Sequence, residues 1–181
     1  MNPINTLGIL FALTSAIVWG GGDFAGGYAT RRSNQFQVLA SAALSGLVVL
    51  IFAMALWRES IPSGRGVVWA TLAGLSGALG ISAFYRALSM GYTASIAPTT
   101  AVIGAALPVV FNAFFSGLPA PNEFLGFGLA FLGIWMVSAA PNNEGRVSPQ
   151  AMLLACLAGI GFGGFMIFLG QVEHGKIFSP L

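Results

Sequence analysis

Asp23 is the single aspartate of the chain, and it stands in the run Trp19-Gly20-Gly21-Gly22-Asp23-Phe24 inside an otherwise apolar stretch. An ionised carboxylate near the centre of a membrane helix costs on the order of 2.5 to 3.5 kcal/mol on insertion scales. Protonation, water in a cavity or a cationic partner offsets that cost, and each is also a working part of a site that handles protons or solutes. Arg86, near the end of the third apolar stretch, is the intramembrane cation available to pair with Asp23, although an arginine so placed also snorkels to the headgroups. Thr99, Thr100 and Asn112 add a second polar set in the fourth stretch, beside Pro98 and Pro108. Proline frees a backbone carbonyl and bends the helix axis, so Pro98 and Pro108 are candidate kinks next to a polar pocket, with Pro98 expected in the tolerant first turn. His174 and Cys156 are the sole residues of their types, with no spacing that forces them into a metal cluster or a triad. Neither metal, cofactor nor enzymatic activity is expected, and Cys156 reads as a small packing residue.

The elements that must position these groups are long and apolar. With 56% hydrophobic and 7% charged residues and a mean hydropathy of +0.85, the chain has too little charge to solvate the outside of a soluble domain of 181 residues. Its principal partner is the lipid bilayer. Six apolar stretches lie near Leu7 to Ala29, Phe36 to Trp57, Val67 to Leu88, Ala94 to Ser116, Phe124 to Ala140 and Gln150 to Gln171. Each falls within the range of about 17 to 25 residues that crosses a hydrocarbon core of about 30 Å. They are apolar on every face rather than on alternate residues, which favours helices over barrel strands. The fold class is therefore an all-α polytopic membrane protein with six transmembrane helices. The segment before the first stretch lacks Lys and Arg, so that stretch reads as a span and not as a cleaved signal. Arg31, Arg32, Arg86 and Arg146 fall on one side, Arg58, Arg65 and Lys176 on the other, a balance that leaves the orientation open. A net charge of +2 spread over loops is ordinary membrane anchoring and gives no nucleic-acid signal.

Glycines are placed for helix contact. Trp19, Gly22, Asp23, Gly26 and Gly27 recur at three- and four-residue spacing on one helix face, as do Ala73, Gly77, Gly80 and Phe84 on another. Small residues at this spacing let backbones approach closely in lipid, which makes Gly22, Gly26, Gly77, Gly80 and Gly163 the expected packing positions. Sliding the chain so that Leu10 meets Leu153 also brings Ala12 onto Ala155, Ile17 onto Ile160, Trp19 onto Phe162 and Gly20 onto Gly163. The sixth stretch thus looks like the first begun again, with Met166 in the place of Asp23. Duplicated bundles with a site at the repeat interface are a transporter design.

The run Ala16-Ile17-Val18-Trp19-Gly20-Gly21-Gly22-Asp23-Phe24-Ala25-Gly26-Gly27 comes first, followed by Phe84-Tyr85-Arg86-Ala87-Leu88, Ala97-Pro98 and Leu107-Pro108-Val109-Val110. In this order and with the repeat, these runs resemble an EamA-type member of the drug/metabolite transporter superfamily. The resemblance implies two inverted five-helix repeats around a central cavity and carriage of metabolites such as amino acids. On that pattern residues 1–140 form the first repeat, 141–149 a connecting loop and 150–181 the start of a second. The chain then stops after the first helix of that repeat, as a truncation or as a subunit completed by another copy in a homodimer. Helices one, three, four and six are expected to line the cavity, with Trp19, Asp23, Tyr85, Arg86, Thr99 and Asn112 as its wall residues. The implied function is alternating-access movement of a small organic metabolite or drug across the cytoplasmic membrane, with Asp23 alternating between charged and protonated forms and so coupling transport to protons. One departure is Gly117-Leu118, where the family often carries Gly-Glu. The rival expectation is a non-transporting membrane subunit or scaffold whose glycine faces bind partner helices.

Overall fold

A segment surrounded by lipid must satisfy its own backbone, and this chain does so as six helices. They are α1 (Pro3–Thr30), α2 (Gln35–Trp57), α3 (Gly64–Ser89), α4 (Thr93–Ser116), α5 (Pro121–Ser138) and α6 (Pro149–Leu169). The computed structural model describes residues 3–91, 93–118, 120–138, 147–173, 175 and 177–181, and contains no strand among them. The end of the fifth expected span at Ala140, most of the expected 141–149 loop with Arg146, and His174 and Lys176 lie outside the described residues.

Several boundaries fall outside the apolar stretches because capping residues set them. The Asn34 side chain accepts from the Phe36 N–H, Ser63 from the Gly66 N–H, and Ser148 from the Ala151 N–H, with Pro149 following at the first helical position. α6 stops at Leu169, with the Gly170 N–H on the Met166 carbonyl, so Gln171 is outside the helix. Pro98 is the sixth residue of α4 rather than part of its first turn, and it leaves the Ala94 carbonyl without its helical donor. Five helices are long and apolar enough to cross a membrane, whereas α5 has a shorter apolar run, Phe124–Met136. Its 18 residues still extend about 27 Å.

The packing is organised around α6, which lies between α3 and α4. It runs antiparallel to α3 and parallel to α4, since Trp69 meets Phe168 and Gly80 meets Gly161 on one side, while Thr100 meets Ala155 and Leu107 meets Gly163 on the other. Its buried residues are all small: Ala151, Ala155, Ala158, Gly159, Gly161 and Gly163. A methyl group added at Gly161 would come within 2.5 Å of the Gly80 Cα and 2.9 Å of the Ser76 carbonyl. On the opposite side, one added at Gly159 would meet the Ile103 Cβ at 2.6 Å and the Thr100 carbonyl at 3.0 Å. Two hydroxyls pin the seam from either side, Ser76 Oγ donating to the Gly161 carbonyl at 2.8 Å and Thr100 Oγ1 to the Ala155 carbonyl at 3.2 Å. Other hydroxyls, such as Thr14 on the Leu10 carbonyl and Thr71 on the Val67 carbonyl, fold back on their own helices.

The remaining helices are attached more loosely. α1 approaches α3 where Gly26 fits against the Tyr85 ring and Gly27 against Leu88, while a methyl at Gly22 would meet nothing within 4 Å. Among the described residues Gly22 therefore stands at no helix contact, because the close approach of α1 to α3 begins one turn later. Gly77 fits against Phe165 and Gly163 against Leu107. α2 has no buried residue and presents apolar side chains such as Val48 and Phe52 all round, as a helix bathed in lipid does. Among the described residues α5 packs on α4 alone.

Outside the apolar spans, two carboxylates tie the α2–α3 loop to the segment after α6. Glu59 accepts from the N–H groups of Ile177, Phe178 and Ser179 at 2.9 to 3.1 Å and from Ser179 Oγ at 2.6 Å. Glu173 accepts from the Ser63 N–H and hydroxyl, at the start of α3. The Trp57 and Phe178 rings meet at 5.3 Å. Arg58, at φ 53, makes the left-handed turn that ends α2 and leads into Glu59. Hydrogen bonding, first from the Ser179 hydroxyl, holds the Glu59 carboxyl down at about 2, against an ordinary 4.5.

Two outcomes are expected. Gly161→Ala destabilises the protein by about 1 to 3 kcal/mol through overpacking, whereas Gly22→Ala is neutral or stabilising by up to about 1 kcal/mol through helix propensity. Thermal midpoints of the two variants in detergent check this pair. The Glu59 bonds, made by the carboxylate, contribute fully above the unfolded value near 4.5 and are lost as the pH falls towards 2. Amide exchange at Ile177, Phe178 and Ser179, corrected for intrinsic rate, stays flat from about pH 5 to pH 8 and accelerates below that window. In Glu59→Gln the same amides exchange several-fold faster throughout.

Candidate functional site

Asp23 lies about 10 Å from the Thr30 end of α1, counting 1.5 Å per residue, and so nearer one face than the middle of its helix. It is half-buried, and two hollows meet at it, sharing Asp23, Phe84 and Ala97. The larger, about 530 Å³, is walled by four helices: α1 through Ser15, Trp19 and Asp23, α3 through Phe84, α4 through its Ala97 to Pro108 face, and α6 through Phe162, Phe165 and Met166. The smaller, about 260 Å³, extends along α1 through Gly27 and Tyr28 to Arg31.

Local sequence explains each wall. The glycine seam of α6 draws α3 and α4 close and leaves Phe162 to meet Phe84 edge-on at 5.8 Å between ring centroids. On α4, Ala97, Thr100, Ala101, Gly104 and Pro108 follow three- and four-residue spacing and so share one face. Pro108 has no N–H to give the Gly104 carbonyl four residues earlier, so a backbone acceptor is freed from the helical ladder on this lining face. Thr100 is buried with its hydroxyl donated to Ala155. At the Arg31 end of the smaller hollow, Arg31 Nε donates to the Leu88 carbonyl at 3.3 Å and the Arg32 guanidinium lies 4.3 Å from the centre of the Tyr28 ring.

The structure brings some of the expected residues together and separates others. Trp19 and Asp23 share the larger hollow. Tyr85, only 7% exposed, lines neither hollow, because its ring fills the notch that Gly26 leaves in the α1–α3 seam. Arg86 follows it round the helix and is exposed; Arg31, not Arg86, is the cation that shares a hollow with Asp23. Thr99 faces the opposite way from the cavity, into a hollow with Trp135 between α4 and α5, its hydroxyl donated to the Ser95 carbonyl at 2.8 Å. Asn112 is exposed and lines neither hollow.

Among the wall residues that the sequence does not single out as such are Ser15, Arg31, Phe84, Phe162, Phe165 and Met166, while Thr100, read there as part of a polar set, stands on the wall in place of Thr99. The three-and-four spacing of Thr100 with Gly104 and Pro108 is the sequence signal that distinguishes it from Thr99. Met166 stands where the repeat alignment puts it opposite Asp23. No group of three or more His, Cys, Asp or Glu residues that could hold a metal is found among the described residues. What the arrangement offers chemically is one carboxylate at the junction of two hollows, both bordered by aromatic rings. That carboxylate can hold a proton, or a positively charged group, away from bulk water.

A family model described as the EamA-like transporter family matches residues 6–139, a span that runs from α1 through α5. No curated protein and no solved structure matches the chain.

Proposed function

Because the chain belongs to the EamA-like transporter family, we propose that it carries a small organic solute across the cytoplasmic membrane by alternating access, with Asp23 as its proton-coupling group. The observation that carries this reading is the Asp23 carboxylate at the edge of a cavity of about 530 Å³ whose wall comes from α1, α3, α4 and α6. A volume of this order suits a small organic ligand. The distribution of packing supports the movement. α3, α6 and α4 form one tightly seamed unit, while α1 is held chiefly where Gly26 and Gly27 meet α3. In this reading α1 is the wall that shifts, opening the cavity to one side and then the other.

Asp23 links that shift to protons. Charged, it favours a conformation in which water or solute reaches it; protonated on a carboxyl oxygen, it tolerates closure against apolar walls. Residues 150–181 begin a second repeat in this account, supported by the alignment of α6 on α1 and by its opposite run relative to α3.

Untargeted solute profiles of cells expressing the chain, with and without a protonophore, test the proposal. Expression is expected to change the level of at least one organic solute several-fold, and collapse of the proton gradient abolishes the change. Asp23→Asn removes the gradient dependence. Unchanged gradient dependence in that variant would sink the coupling role. No solute change at all, together with stable co-purification of another membrane protein, would favour a scaffold instead.

A further inference from the structure

We infer that the Asp23 cavity takes an organic monocation with a bulky aromatic or apolar body. The inference rests on the transporter reading and adds the charge and shape of the solute. The larger hollow is bordered by four aromatic residues from three helices: Trp19 on α1, Phe84 on α3, and Phe162 and Phe165 on α6. Aromatic faces attract cations, tryptophan most strongly, and the attraction grows when water is excluded. Among the described residues the one ionisable group on the same wall is the Asp23 carboxylate.

Charge points the same way. The Thr100 hydroxyl already gives its proton to the Ala155 carbonyl, and the Gly104 carbonyl has lost its helical donor to Pro108. Ser15 and Trp19 on the same wall also carry a hydroxyl and an indole N–H, so the balance that favours a cation is one of charge. Among the described residues no Lys, Arg or His lines the larger hollow. An anion placed there faces Asp23 with no compensating charge. A zwitterion fares little better. Arg31 lines the smaller hollow and not the larger, past the Thr30 end of α1 and with its Nε on the Leu88 carbonyl. An α-amino acid bound at Asp23 through its ammonium group leaves its carboxylate among aromatic rings, a costly burial without a partner. A monocation meets the carboxylate with its charge and the rings with its body, and leaves nothing unpaired.

Tetraphenylphosphonium and tetraphenylborate have the same shape and opposite charge, which makes them the direct probe. Binding of each is measured on the full chain in phosphatidylcholine nanodiscs, after subtraction of binding to empty nanodiscs. The cation is expected to bind saturably and at least about tenfold more tightly than the borate, a tenfold ratio being the equivalent of about one compensated charge contact. Asp23→Asn, verified as folded by size exclusion, weakens the cation about tenfold or more, while Asp23→Glu retains it. Trp19→Leu, which keeps an apolar wall without the ring, weakens it several-fold. Equal binding of the borate, undiminished binding by Asp23→Asn, or no saturable binding of the cation overturns the inference. If the cation fails to bind while the solute profile of expressing cells still changes, the cation class falls and the transporter stands. If both are negative, the transporter reading falls with it.

Discussion

The backbone of α6 touches the backbones of both α3 and α4, and the arrangement of the other helices follows from that contact. Lipid tails are as apolar as leucine, so hydrophobic exclusion gives helices in a bilayer little reason to associate; close packing and interhelical hydrogen bonds must do it. α6 meets the requirement by removing side chains where it is buried. With Gly161 on Gly80, Gly159 on Ile103 and Gly163 on Leu107, glycine Cα–H groups come to face carbonyl oxygens of Ser76, Thr100 and Gly104. Contacts of that kind recur at close helix crossings and each adds a small attraction. The Ser76 and Thr100 hydroxyls then fix the register from the two sides.

This seam determines where the cavity is. α3 and α4 are drawn onto α6, which sets Phe84, Thr100 and Gly104 around a hollow that α1 closes only in part. The α1–α3 contact is made by Gly26 and Gly27, so the stretch of α1 from Ser15 to Asp23 stands off and leaves the space. Beyond the spans, Glu59 and Glu173 add a second tie between the α2–α3 loop and the end of α6. The seam is thus held inside the bilayer by glycine and outside it by carboxylates. The firmest part of the molecule lies opposite the residue with the most expensive charge, and α1, which carries that charge, is among the less firmly held helices.

Much of this was legible in the sequence, and the limits have physical causes. Hydropathy located all six helices, because lipid imposes one simple requirement on every span. Gly26, Gly77, Gly80 and Gly163 stand at helix contacts, but Gly22 does not, since spacing identifies a face and not how far along it the neighbour stays close. Asp23 and Trp19 share a cavity, while Thr99 and Thr100 exchange the parts expected of the first. A helix that is apolar all round carries no pattern to say which face is inward; α4 turns Thr100 inward because α6 lies there, information held about fifty residues later in the chain. The Glu59 clusters on Ile177, Phe178 and Ser179 were likewise invisible, because a loop carboxylate and distant backbone N–H groups leave no spacing signal.

The most direct test of this account is chemical cross-linking of cysteine pairs in membranes, in a chain whose native Cys156 is replaced by Ser. Trp69→Cys with Phe168→Cys probes the α3 side of α6, and Thr100→Cys with Ala155→Cys the α4 side. Phe52→Cys with Phe168→Cys, on helices that make no contact among the described residues, is the control. The account predicts rapid intrachain linkage by a short bifunctional thiol reagent for the first two pairs and none for the control. Linkage of the control at a comparable rate, or failure of either test pair, would contradict the seating of α6 between α3 and α4.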